Sequence, residues 1–258
     1  MSESKINVTI WNENVHEQSN PAVRELYPTG IHGALSEHLA APDLAIRTAT
    51  LDQPEHGLTQ EILNDTDVLL WWGHAAHDKV ADEVVNRVQQ RVWDGMGIIA
   101  LHSAHMSKIF RLLNGTSGKL HWREAGDRER IWVINPAHPI TRGLPEHFEL
   151  PYEEMYGEPF MIAEDAKILL MSWFEGGEVF RSGFTLQRGN GRLFYFRPGH
   201  ETFPTYHDPN VLKVIANAIR WLRPVISAPY PKTHRPEPLE KISPKDFKFG
   251  KAGIVKEE

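Results

Sequence analysis

The chain has no cysteine among its 258 residues, which removes disulfides, thiolate metal ligands and a cysteine nucleophile together. No run approaches the roughly 20 apolar residues of a membrane-crossing helix, so no membrane partner is expected. Lys and Arg are scattered, and the formal net charge is -6 with the histidines neutral. That balance advertises no nucleic-acid partner. A phosphate-cradling glycine loop and a dinucleotide fingerprint are both missing. No nucleotide cofactor is therefore expected, and a nicotinamide-dependent dehydrogenase is the wrong class. No Gly-x-Ser-x-Gly or Gly-x-Cys-x-Gly pattern occurs, which argues against elbow-type acyl transfer. Met1 to Lys5 carry no signal or transit sequence, and a cytoplasmic location is expected.

What is present is an ordinary globular composition rich in histidine. Hydrophobic residues make up 41% and charged residues 24%, enough to bury a sizeable core over this length without covalent staples. Strands are expected at Ile6 to Trp11, Leu44 to Leu51, Val68 to Trp72 and Ile98 to Leu101. Helices are expected from about Ala22 to Leu39, over Val80 to Trp93 and over Ser103 to Leu113. The second of these carries Val80, Val84, Val88 and Val92 at four-residue spacing, the stripe of an amphipathic helix. Such alternation points to an α/β class, a doubly wound and mostly parallel sheet. An antiparallel extension follows, with strands at Arg130 to Ile134, Ala166 to Phe174, Val179 to Leu186 and Leu193 to Phe196. Asn190-Gly191 is the hairpin signal between the last two, because both residues accept positive φ. Pro209 opens a final helix lined by Val211, Val214, Ile215, Ala218, Ile219 and Leu222.

The chain is thus expected to divide into an α/β domain over residues 1–223 and a proline-rich arm over 224–258. The last 35 residues hold six of the eighteen prolines, too little to build a core. Such a segment is either a flexible tail or an arm laid across a neighbouring subunit; apolar residues such as Val225, Tyr230 and Phe247 give it something to bury and favour the arm, so a homo-oligomer is expected.

In open parallel sheets, ligands bind outside the carboxyl ends of the strands. Four segments each deliver a histidine there: Asn12 to Glu17 with His16, Gly73 to Asp78 with His74 and His77, His102 to His105, and Arg197 to Thr202 with His200. A metal site would take His74, His102 and His200, one from each of three segments, with a carboxylate from Glu13, Glu17 or Glu154. Imidazole and carboxylate donors suit zinc, manganese or iron(II). The two His-x-x-His pairs, His74/His77 and His102/His105, straddle strand-to-helix turns, so their spacing alone fixes no shared face. His102 stands where hydrolases keep a nucleophile, and Ser103 follows it. Tyr152 to Glu158 is acidic and aromatic, a composition that suits sugar binding and equally suits an ordinary loop. The eight tryptophans offer stacking faces, with Trp71, Trp72 and Trp221 assigned to the core.

Tyr27-Pro28-x-Gly30-Ile31-His32, Trp71-Trp72-Gly73-His74, Leu101-His102-Ser103-Ala104-His105, Met155-Tyr156-Gly157-Glu158 and Phe194-Tyr195-Phe196-Arg197-Pro198-Gly199-His200-Glu201 together resemble the ThuA-like trehalose-utilisation proteins. The resemblance spans roughly Ile6 to Leu222. It implies the flavodoxin-like fold of class I glutamine amidotransferases, with His102 at their cysteine position and His200 near their catalytic histidine. Without a cysteine, glutaminase chemistry is excluded and the fold label carries no activity. The resemblance implies a role in catabolism of trehalose or related disaccharides, through keto-sugars among others. Three functions are in play. The first is an enzyme acting on a sugar or keto-sugar, with His102 and His200 as metal ligands or acid/base pair. The second is a hydrolase using Ser103 with His200 and a carboxylate, and the third is a non-catalytic sugar-binding or regulatory module. Catalytic roles are assigned to His102, His200, Ser103 and Glu201, and substrate binding to His16, Glu17, Glu154, Tyr156, Glu158 and Arg197.

Overall fold

The computed structural model describes residues 5–225 and 237–241. Most of the expected arm therefore lies outside the described residues, and its Val225 and Leu239 are exposed. Nine strands form one sheet. Its parallel half comprises β1 (Ile6–Asn12), β2 (Leu44–Thr50), β3 (Val68–Trp72), β4 (Gly97–Leu101) and β9 (Gly191–Phe196), in the order β2-β1-β3-β4-β9. The antiparallel half adds β8 (Val179–Arg188), β7 (Lys167–Phe174), β5 (His121–Val133) and β6 (His147–Gly157), in that order beyond β9. β9 joins the halves, pairing parallel with β4 and antiparallel with β8.

Every residue of β3 and β4 is buried, the continuous apolar run of a strand covered on both faces. Alternate side chains serve opposite layers. Val68, Leu70 and Trp72 pack with α2 (Pro21–Leu26), α3 (Gly30–His38) and α7 (Pro209–Leu222), which contribute Val23, Ile31 and Val214 among others. Leu69 and Trp71 pack with α4 (Gln60–Asn64), α5 (Asp82–Asp94) and α6 (Lys108–Asn114), which contribute Leu63, Val88 and Phe110. In α5 the expected stripe is buried at Val84, Val88 and Val92, and Gly95 ends it at φ 135. In α7 the Asp208 carboxylate caps the N–H groups of Asn210 and Val211, and all six expected apolar residues are buried. Burying them is worth on the order of 10 kcal/mol before entropy. No helix among the described residues is long and apolar enough to cross a membrane.

Several expected elements differ. The helix expected over 22–39 is broken at Pro28, with Gly30 at φ 75 starting a new helix, and a short α1 (His16–Ser19) stands where a loop was expected. The helix expected from Ser103 begins only at Lys108. His102–Met106 is a 3-10 turn, and the Ser107 hydroxyl caps α6 by accepting from the Phe110 N–H. The loop expected at Tyr152 to Glu158 is mostly strand, because β6 runs to Gly157. Pro151 is tolerated within it because β6 is the edge strand, where one N–H side has no partner to lose. In the hairpin, Arg188 pairs with Gly191, so the two-residue loop is Gly189-Asn190 and Gly189 carries the positive φ, 59°. Gly191 has a different reason to be glycine: a Cβ there would lie 2.2 Å from the Val92 carbonyl.

Candidate metal centre

The carboxyl edge is assembled from strand ends that the sheet brings side by side. After β4 the chain turns at His102, which has φ 51. Left-handed backbone at a non-glycine residue costs about 1–3 kcal/mol and persists where surrounding bonds over-determine it. Here the His102 carbonyl accepts from the Tyr195 hydroxyl at 3.0 Å, and its Nδ1 lies 3.1 Å from the Arg197 carbonyl. After β3 the loop carrying His74 is tied down by buried Glu13, whose two oxygens accept from the Ala75 N–H at 2.6 Å and the Ala76 N–H at 3.0 Å. Ser103 donates its hydroxyl to the Gly73 carbonyl at 2.7 Å. After β9, Gly199 at φ 133 packs so closely on Tyr206 that a Cβ would lie 2.0 Å from its hydroxyl. That contact sets the position of His200.

Beneath the crevice lies a fully buried ion cluster in which Arg197 is paired with Glu129 and Glu153. Arg197 also donates to the Glu154 carbonyl at 2.7 Å, and Glu153 accepts from the Gly199 N–H at 3.3 Å. One guanidinium thus ties the strand of Glu154 to the segment of His200. Burial, opposed by the Arg197 charge, pushes the Glu129 carboxyl up to about 7.

His74, His102, Glu154 and His200 each offer one ligand atom, and these atoms lie within 4.8 Å of one another. The three imidazole rings stand edge to face, with centroids 5.3 to 5.7 Å apart. His102 Nε2 and Glu154 Oε2 are 3.2 Å apart, both buried and neither hydrogen-bonded. The Arg197 carbonyl can only accept, so the proton of a neutral His102 is on Nδ1 and its Nε2 is a bare lone pair. An ionised Glu154 would then face that lone pair acceptor to acceptor, an arrangement that a bound cation satisfies.

The electrostatics favour neutral imidazoles at His102 and His200 and a protonated one at His74. Burial, aided by the neighbouring His200 and His74, holds His102 well below its ordinary value. Burial also lowers His200 and raises Glu154. At His74 burial opposes charge, but the Glu201 carboxylate outweighs it and holds the imidazole above its ordinary value. Glu201 is itself pulled down to about 2 by His74, His200 and His16 against its burial. His74 Nδ1 lies 3.0 Å from Glu201 Oε2, the carboxylate–histidine arrangement that leaves Nε2 for a metal. The same contact accounts for a second grouping, His16, His74 and Glu201. His200 Nδ1 is held by Thr202, with the hydroxyl at 2.8 Å and the N–H at 3.3 Å.

Beside this cluster opens a cavity of about 500 Å³, lined by His77, His105, Trp122, Glu124 and Tyr156 among others. Burial holds His77 and His105 down at about 4. His105 donates from Nδ1 to the Gly118 carbonyl at 2.7 Å, leaving Nε2 an acceptor. The second members of both His-x-x-His pairs therefore line the cavity and are not in the four-atom cluster. Neither pair lies on one α-helix, so nothing forces both rings onto one face.

Of the residues assigned to the site from sequence, the fold gathers His16, His74, His102, Ser103, Glu154, Tyr156, His200 and Glu201. Tyr156 stacks on His102 with centroids 5.3 Å apart. His16 lies 3.2 Å from His74 and 3.4 Å from Glu201. Three others are placed differently. Glu17 is buried, with Oε1 accepting from the Asn12 side chain and the Ile31 N–H. Arg197 is in the ion cluster below the crevice, and Glu158 is paired with Arg181 at 2.6 Å. Trp122 and Glu124 were not anticipated, because His121 to Asp127 shows no apolar alternation to mark a strand. Ser103 is hydrogen-bonded to a carbonyl and to no histidine.

A family model for ThuA, described as trehalose utilisation, matches residues 7–222. No curated protein matches. Among solved structures, a protein described as ThuA-like from Bacteroides uniformis aligns at TM-score 0.62 and 18% identity, over 86% of this chain and 93% of that one. Another ThuA-like protein, from Parabacteroides merdae, aligns at 0.60 and 14% identity, over 88% and 93%. A β-galactosidase from Bacillus circulans sp. alkalophilus aligns at 0.54 and 13% identity, over 88% of this chain and 33% of that one. At these identities the likeness is one of fold.

Proposed function

This chain belongs to the ThuA family, described as trehalose utilisation, and on that premise we propose that it is an enzyme acting on a sugar or keto-sugar at a divalent metal held by His74, His102, His200 and Glu154. The observation that carries this is that buried His102 Nε2 and Glu154 Oε2 lie 3.2 Å apart, neither with a hydrogen-bond partner, inside a group of four ligand atoms no more than 4.8 Å from one another. Three imidazoles and a carboxylate suit zinc, manganese or iron(II). Such an ion, when bound, would polarise a sugar carbonyl or activate water.

The chain's own residues do the positioning. Glu201 orients His74, the Arg197 carbonyl orients His102, and Thr202 orients His200. Tyr156 covers the His102 ring. In the cavity His77 and His105 stay neutral near pH 7, able to accept from a hydroxyl or take up a proton. Glu201, first assigned to catalysis, acts here through His74. The serine-hydrolase alternative has less support, since the Ser103 hydroxyl donates to the Gly73 carbonyl and not to a histidine. A flavodoxin-like reading of the parallel half, a cytoplasmic location and a homo-oligomer belong to the same proposal.

The test is elemental analysis of tag-free protein beside His102→Ala and His200→Ala. One metal per chain, lost in both variants, is the expected result. Metal retained in both variants, or none in a fully active wild type, would overturn the metal assignment.

A further inference from the structure

Trp122 is 64% exposed, yet it lines the same cavity as Glu154, Tyr156, His77 and His105. Its position stems from an irregularity in β5. The first part of β5 pairs only with β6, matching Trp122 to Tyr156 and Arg123 to Met155, while β7 joins β5 only from Glu129 onward. Between Arg123 and Asp127 the chain advances four residues against two on β6, from Met155 to Glu153. The extra residues form a bulge containing Gly126 at φ 67. Bulges of this kind re-aim side chains and occur beside active sites. This one is braced by Arg123, which pairs with Asp127 at 3.2 Å and with Glu178 at 2.7 Å. It carries Trp122 and Glu124 to the crevice, with Glu124 Oε1 3.8 Å from His200 Nε2.

Resting on the sugar reading above, we propose that Trp122 is the platform for a pyranose ring of an uncharged glycoside, with its hydroxyls turned toward Glu124 and the histidines. A pyranose presents a face of C–H groups and a rim of hydroxyls. The C–H face suits the negative face of an indole, and the rim suits a carboxylate and neutral imidazoles that accept hydrogen bonds. In the metal-free protein, charge decides against an anionic sugar. The lining carries two carboxylates, Glu124 and Glu154, against one cation, Lys119, and Glu201 adds a third carboxylate behind His74. Before an ion is bound, a phosphate group would enter a wall of its own sign.

The experiment titrates wild type, Trp122→Ala and Trp122→Phe with trehalose and with trehalose 6-phosphate by calorimetry, with and without zinc, and measures metal content in the same samples. Expected is trehalose binding that falls about tenfold or more in Trp122→Ala and only a few-fold in Trp122→Phe, from the lost stacking face and its area. In zinc-free protein trehalose should also bind better than its 6-phosphate. Because Trp122 is exposed, truncation should leave thermal stability and metal content unchanged. Trp122→Ala binding trehalose as wild type does, tighter binding of the phosphate by zinc-free protein, or no trehalose binding by wild type would each overturn the platform. Trp122-dependent binding in protein that holds no metal would support the platform while overturning the metal assignment.

Discussion

Removing the Glu201 carboxylate should loosen metal binding without removing a ligand. Glu201 is almost wholly buried, and its two oxygens lie 3.0 and 3.2 Å from His74 Nδ1. In that arrangement it fixes the His74 tautomer, aims Nε2 at the cluster and raises the ring's donor strength. Outer partners of this type are worth roughly 10–100-fold in metal affinity. Glu201→Gln keeps an oxygen within reach of Nδ1 and loses only the charge, so its effect should be near the lower end, about tenfold or ~1.4 kcal/mol. Glu201→Ala removes the acceptor as well and leaves His16 without its carboxylate neighbour, so its effect should approach 100-fold, about 2.7 kcal/mol. His74→Ala, which deletes a donor from the cluster, should weaken binding further than either. The assay is competition for zinc against a chromophoric chelator at neutral pH. Wild-type affinity in Glu201→Ala, or an affinity for Glu201→Ala below that of His74→Ala, would refute the division into ligand and outer partner.

The buried ion cluster predicts a pH dependence of stability. Glu129 is held up at about 7 in the folded state, mainly by burial, against an ordinary 4.5. Between those values the folded chain keeps a proton the unfolded chain has released, so stability falls as pH rises through the window and levels off above it. The full effect is of order 3 kcal/mol, and Glu129→Gln should flatten it in urea unfolding followed across the window; an unchanged slope would sink the assignment. Glu13→Gln turns one acceptor of the Ala75 and Ala76 N–H groups into a donor, at a cost of about 1–3 kcal/mol. Zinc affinity should fall with it, as the His74 loop is freed, and a stable variant with wild-type affinity would contradict this. Gly191→Ala would press a Cβ onto the carbonyls of Val92 and Met96 and should cost about 1–3 kcal/mol; calorimetry showing an unaltered melting temperature would refute that close approach.

Local sequence patterns determined much of this molecule. The all-apolar runs of β3 and β4, the valine stripe of α5 and the capped, Pro-started α7 are each legible because burial on two faces, or on one helical stripe, leaves a periodic record in a short window. The strand-end rule also led to His74, His102 and His200 from three separate segments, since parallel topology sends every strand's carboxyl end to one edge. The tertiary structure decided what depends on pairing across the sheet. Which carboxylate completes the cluster could not be read from Glu13, Glu17 and Glu154 alone. All three follow or end strands, and only the fold turns the first two to backbone N–H groups and leaves the third facing His102. The role of Arg197 is likewise ambiguous until Glu129 and Glu153 arrive from other strands to enclose it. Trp122 was invisible for the same reason. Its segment pairs on one side only and bulges at Gly126, so no alternation marks it, and its place over the crevice exists only once β6 lies beside it.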